Sequence, residues 1–232
     1  MELLKLILFA CLASVTAFAS TLSDCSQQPL STYLTMTSPC IIGRLAFSHF
    51  AYLPTSFGDE TAVPADQIMV NPQAIPGDPG IQFMASWTAS GQGGVDSAIG
   101  FLVTVLPGGP LIDSVTLNAA LQVNHPSVLE GVVETICLGG QYGYNTCPLE
   151  DTVALRVDNQ SDPTPAFISF APQSQIAVLK DVFIAGLTIN ANGMISEVDN
   201  HYPASVPEPA TPLLGLSGLL LIWRLRRRQP AR

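Results

Sequence analysis

The side chains of this 232-residue chain that could do chemistry are its histidines, carboxylates and exposed-capable aromatics. The three histidines are His49, His125 and His201. No H-E-x-x-H, H-x-H or G-x-S-x-G spacing ties them to a metal or a nucleophile. Gly215-Leu216-Ser217-Gly218 only superficially imitates a nucleophile elbow and lies in an apolar run. The histidines therefore read as core or surface residues, and no metal or cofactor is implied. Glu130 and Glu134 flank one predicted strand, and Glu150-Asp151 opens another. Two carboxylates facing each other at ~5–9.5 Å would suit glycoside hydrolysis. A domain with many acids also brings some together by chance. Asp158, Asn159, Ser161 and Asp162 share one loop, and oxygen ligands on loops suit calcium. Their spacing is not that of an EF-hand, and an Asx turn uses the same residues. Trp87, Tyr142 and Tyr144 could stack on sugars if they share an exposed face, or pack in a core.

Strands must position these groups. The segment 112–124 alternates Val115, Leu117, Ala119, Leu121 and Val123 with polar neighbours, broken only by Ala120. That period of two predicts a strand with one buried face. Further strands are predicted over 40–53, 81–87, 96–106, 132–138, 152–157, 166–170, 176–190 and 194–198, with a short one over 67–70. In 40–53, Arg44, Ala46, Ser48, Phe50 and Tyr52 form one side, and Ile41, Leu45, Phe47 and His49 the other. Gly91 to Gly94 and Pro107 to Pro110 are turns, and Asn192-Gly193 is a hairpin signal. Leu117, Leu121, Leu187 and Ile189 are the expected core residues. No sustained helical period appears between the termini. The expected fold is all-β, an antiparallel β-sandwich of jelly-roll type over residues 20–203.

The two ends differ from this middle. Lys5 precedes an uncharged apolar stretch, Leu6 to Ala19, which closes on Ala17-Phe18-Ala19. This predicts a signal peptide over 1–19, helical in its apolar part and cleaved after Ala19. Leu8-Phe9-Ala10-Cys11 roughly resembles a lipobox, with Phe9 a poor fit. At the other end, 204–209 is a linker containing Pro207-Glu208-Pro209. The two prolines hold it extended. An apolar segment then ends at Trp223, followed by Arg224, Arg226, Arg227 and Arg228. A helix from Ala210 to Trp223 would extend about 21 Å, short of the ~30 Å hydrocarbon core. Snorkelling arginines and local thinning would permit a strained span. The arginines would stop the helix and stay cytoplasmic. Residues 210–232 thus read as a membrane anchor helix and a basic tail.

The exported part carries only Arg44, Arg156 and Lys180 against sixteen acidic residues. Nucleic-acid binding needs basic residues and is excluded as a role. Four cysteines remain after the signal peptide: Cys25, Cys40, Cys137 and Cys147. An even count in an exported chain reads as disulfides, with three connectivities open. Pairing of sequence neighbours is the simplest, each bridge contributing on the order of 2–4 kcal/mol. There is no C-x-x-C or Cys–His spacing to support a metal or catalytic thiol.

Residues 206–228, with the PEP triplet, apolar segment and arginine cluster in order, resemble the PEP-CTERM sorting signal of bacterial exported proteins. The resemblance implies that exosortase, a membrane cysteine protease, recognises Pro207, Glu208 and Pro209. The chain would be its substrate. Localisation would be membrane-anchored at first, then cell surface or extracellular matrix, with extracellular polysaccharide as a further partner. Cys40, Gly43 and Phe47-Ser48-His49-Phe50 are similar to the N-terminal region of such proteins, and Lys180-Asp181 to a later one. These matches imply family membership only and bring no activity with them. The main reading is a non-catalytic surface or matrix protein. A carbohydrate-binding module is the alternative, and a secreted glycoside hydrolase the third.

Overall fold

The computed structural model of the protein describes residues 22–140, 147–160 and 165–203. The signal cleavage site (Ala17, Ala19), the sorting motif (Pro207, Glu208, Pro209) and the basic stop (Arg224, Arg226, Arg227, Arg228) lie outside them. So do Tyr142, Tyr144, Ser161 and Asp162. No helix among the described residues is long and apolar enough to cross a membrane.

The strands are β1 (Ser23–Asp24), β2 (Gln28–Pro29), β3 (Cys40–Ile42), β4 (Leu45–Phe57), β5 (Met69–Gln73), β6 (Gly80–Ser90), β7 (Gly94–Val105), β8 (Ile112–Val123), β9 (Val128–Leu138), β10 (Thr152–Asp158), β11 (Ala166–Gln173), β12 (Gln175–Gly186) and β13 (Asn192–His201). One short helix, α1 (Leu30–Leu34), follows β2. The strands form two sheets. The larger has the order β1-β3-β4-β7-β12-β9-β10 and the smaller β11-β8-β13-β6-β5-β2. All pairings are antiparallel except β1 with β3. The all-β, two-sheet expectation therefore holds.

Alternation explains the sandwich. Val115 and Leu117 on β8, Val178 and Val182 on β12 and Val132 and Ile136 on β9 are buried between the sheets. Aromatic rings fill the centre. Phe101 meets Phe47, Phe50 and Phe83, and Phe47 meets Tyr202 edge-on. Trp87 is fully buried, and its indole N–H donates to Ser97 Oγ at 3.0 Å. Tyr52 Oη lies 2.8 Å from the same Oγ. This satisfies the polar ends of two large rings in an apolar layer. Both disulfides join sequence neighbours, Cys25–Cys40 and Cys137–Cys147, with Cα separations of 4.8 and 5.8 Å.

Four sequence expectations are corrected. The first long strand is two, split by a turn at Gly43 (φ 61°). A register shift between Ser48 and Ala51, with His49 at φ 54°, re-aims the rest of β4. Phe47 and Phe50 are therefore both buried, although three residues apart. Leu187 and Ile189 are exposed because β12 ends at Gly186. Asn192-Gly193 does not turn a hairpin. Both residues are inside β13, which crosses to the other sheet. Leu117 is buried as expected, and Leu121 packs against the core while partly exposed.

Candidate functional site

Strand β13 places chemistry on both of its faces. Its last residues, Asp199, Asn200 and His201, alternate outward, inward and outward, and Tyr202 beyond them points inward. Two separate constellations result.

The inner one lies between the sheets. Lys180 on β12 and Glu134 on β9 are direct cross-strand partners, and both are fully buried. Lys180 Nζ donates to Glu134 Oε2 at 2.5 Å. From the facing sheet, Asn200 Nδ2 donates to Glu134 Oε2 at 2.7 Å and to Oε1 at 2.9 Å. Asn200 Oδ1 and the Tyr202 hydroxyl are buried without a hydrogen-bond partner. Burial pulls the Lys180 ammonium below the usual lysine range, and the Glu134 charge opposes that. The Tyr202 phenol is pushed well above its usual value, first by burial, then by Glu134 and Asp199. Four residues before Glu134, Glu130 is also buried. Neither of its carboxylate oxygens has a partner at hydrogen-bond geometry. Burial pushes its carboxyl up to about 7, although the backbones of Met194 and Gln122 pull the other way. The two glutamates thus sit in the core, and neither faces a cleft where a glycoside could enter.

The outer constellation covers the smaller sheet. Register puts Asn71 on β5, Gln82 on β6, Asp199 on β13 and Asn118 on β8 in one row across four strands. Asn71 Nδ2 donates to Gln82 Oε1 at 2.8 Å, and Gln73 Nε2 reaches the same oxygen at 3.4 Å. A second row runs from Gln73 through Gly80, His201 and Thr116 to Phe167 on the edge strand β11. Phe167 is 62% exposed. Met69, Met84, Glu197 and Ala120 form a third. His201 Nε2 lies 2.8 Å from Asp199 Oδ2, and its Nδ1 faces Asp78 Oδ2 at 3.4 Å. Burial lowers the imidazole pKa, but Asp199 and Asp78 outweigh it, and the net shift is upward. Gly80 makes this packing possible. A Cβ there would come within 2.4 Å of the Asn200 carbonyl and 2.9 Å of His201 Nδ1.

The outer face of the larger sheet carries one more acidic pair. Asp96 on β7 lies against Asp181 on β12. Burial first, and then Asp181, push the Asp96 carboxyl up to about 7. Such a pair shares a proton more readily than it ionises twice.

Of the residues singled out by sequence, His201 and Glu134 fall in these constellations. His125 Nδ1 accepts from the Ser127 backbone, and His49 pairs with its neighbour Ser48, so neither joins a site. Trp87 is in the core and offers no exposed sugar platform. Glu150 and Asp151 form a single turn of 3₁₀ helix. In the loop considered for calcium, Asp158 pairs with Arg156. Asn159 is spent on backbone: Nδ2 donates to Val128 O at 2.6 Å and Oδ1 accepts from Glu130 N at 3.1 Å. Among the described residues no group of three metal-ligating side chains converges. Sequence reasoning missed Asn71, Gln82 and Asp199, whose meeting depends on strand order. It noted Lys180 only for its charge and resemblance, and missed its pairing and Asn200, although each interrupts an apolar alternation.

No protein-family model and no curated protein matches the chain. Among solved structures it is similar to the CBM22-1 xylan-binding domain of Paenibacillus barcinonensis Xyn10C. That match has 12% identity and a TM-score of 0.20, covering 66% of this chain and 87% of the other. A score that low carries no weight here.

Proposed function

We propose that this is an exported, non-catalytic protein of the cell surface or extracellular matrix whose β-sandwich binds polysaccharide through the outer face of its smaller sheet. The supporting observation is the row Asn71–Gln82–Asp199–Asn118 beside a second row that ends in exposed Phe167. Amides and a carboxylate in register offer donors and acceptors at the inter-strand spacing of ~4.8 Å. Such groups fix a hydroxyl-rich ligand, and an aromatic ring supplies apolar area for a sugar face. Asp199 and Glu197 on this surface, with no lysine or arginine in the rows, disfavour an anionic polymer. The ligand class is therefore a neutral or cationic polysaccharide. A jelly-roll-like sandwich, with a helix at each end of the chain, belongs to this proposal.

Delivery rests on the termini. The signal peptide of 1–19 exports the chain. The segment 206–228 holds it at the membrane through its apolar helix, until an exosortase-type enzyme acts at Pro207-Glu208-Pro209. Two disulfides between sequence neighbours agree with an oxidising destination. A glycan array probed with purified full-length chain tests the binding half. Signal confined to neutral or cationic glycans is expected, and an array without signal would sink it. Fractionation of Glu208→Ala tests the sorting half. The variant should be exported yet stay in the membrane fraction in a host carrying the enzyme.

A further inference from the structure

Glu134 Oε2 accepts from two nitrogens at once: the amine of Lys180, on the larger sheet, and the side-chain amide of Asn200, on the smaller. Both nitrogens are thereby adjacent to one oxygen in a site sealed from water. All three residues are fully buried. The surroundings are apolar and aromatic, with Val132, Ile136, Val178, Val182 and Tyr202 on the same strand faces. A buried ion pair in such a place is a weak source of stability, because desolvating two charges offsets most of their attraction. Asn200 Oδ1 and the Tyr202 hydroxyl add two orphaned polar atoms to that cost. The arrangement makes poor sense as a resting ion pair and good sense as a reaction assembly.

We propose that Lys180 and Asn200 join in an intramolecular amide, an isopeptide bond between the two sheets, with Glu134 as the proton-transfer residue. The proton shared across the Lys180–Glu134 contact passes to the carboxylate and leaves a neutral amine. Burial favours that state, since it already draws the lysine downward. The Nζ lone pair attacks Asn200 Cγ. As the new C–N bond forms, the amine gives a proton to Glu134, and Glu134 gives one to the departing amide nitrogen. The old C–N bond breaks and ammonia leaves. No oxidant, reductant or cofactor enters the balance. The products are a secondary amide, ammonia and a protonated Glu134, so no charge remains in the core. The hydrogen bonds run in the sense the reaction needs. The carboxylate contacts the nucleophile and the leaving nitrogen, not the carbonyl oxygen. Asn200 Oδ1 and the Tyr202 hydroxyl are both buried and make no hydrogen bond in the resting arrangement.

The consequence is a covalent tie between β12 and β13, and hence between the sheets, in a protein read as facing the extracellular environment. The experiment is a peptide map of the purified full-length chain, denatured, reduced and cut before aspartates. Lys180 ends the peptide 162–180, and Asn200 lies in the peptide that begins at Asp199. The proposal expects these two as one branched species, lighter by one ammonia than their sum. Asn200→Asp should give a branched species lighter by one water relative to its own two peptides. Glu134→Gln should give the two peptides separately. Separate, unmodified peptides from the parent chain would overturn the proposal, whether or not either variant folds. A full yield of the branched species from Glu134→Gln would overturn the role given to Glu134.

Discussion

Asp199, Asn200 and His201 are consecutive, yet they belong to two different chemistries. Asn200 faces a closed interior in which Lys180 and Glu134 use each other. Asp199 and His201 face the outer surface of the same sheet, where neighbouring amides keep unused capacity. Gln82 Oε1 accepts two bonds while its Nε2 has no protein partner among the described residues. The two faces therefore serve different ends. The inner polar groups are bound to the fold and should govern stability. The outer ones keep hydrogen-bonding capacity that the proposed ligand would take up. Substitutions can separate the two.

The largest effect should come from the inside. Glu134→Ala leaves the fully buried Lys180 amine without its partner and unable to form the amide, and removing one member of a buried pair typically costs about 3–5 kcal/mol. Denaturant unfolding of the full chain should show that loss. A variant as stable as the parent would mean that the inner cluster is not what holds the sheets together. The next effect concerns Glu130, the buried acid without a partner. Its carboxyl is raised to about 7, so the native state holds a proton that the unfolded chain releases near the ordinary glutamate value of 4.5. Stability therefore falls as pH rises from about 4.5 to about 7, then levels off. Asp96, also raised to about 7, adds in the same direction. Glu130→Gln should flatten this slope and stabilise the protein at pH 8 by on the order of 2 kcal/mol. An unchanged slope would place the pH dependence elsewhere.

These groups differ in how far sequence alone revealed them. The alternation over 112–123 gave β8 almost to the residue, and the spacing of the cysteines suggested the bridges that form. Leu187 and Ile189 misled because their alternation continues past Gly186, where the chain leaves the sheet. The bulge at His49 breaks a period that a pattern must assume. Lys180 sits between Val178 and Val182, Glu134 between Val132 and Ile136, and Asn200 between Val198 and Tyr202. Each is a polar residue in an apolar series, a signal present in the sequence. That the three would meet depends on sheet order, which no local pattern contains. The outer rows are harder still, because they are assembled from strands far apart in the chain.

Smaller effects are expected outside. His201→Ala removes imidazole contacts to Asp199 and Asp78 and should cost about 1 kcal/mol, the upper range for pairs that keep some contact with solvent. The raised histidine pKa fixes the sign. Its contribution is complete below the unfolded value of 6.5 and fades as pH rises through the raised folded value. An imidazole titration by NMR with a midpoint below 6.5 would reverse that assignment.

Binding at the outer face is tested by affinity for a polysaccharide identified on the array, compared across three variants of the full chain alongside their melting midpoints. Gln82→Ala and Phe167→Ala alter the outer face of the smaller sheet. Leu53→Ser alters an equally exposed position on the larger sheet. The first two should lose tenfold or more in affinity with melting midpoints close to the parent, while Leu53→Ser should bind as the parent does. Equal affinity in all three, or loss only in Leu53→Ser, would contradict binding at that face.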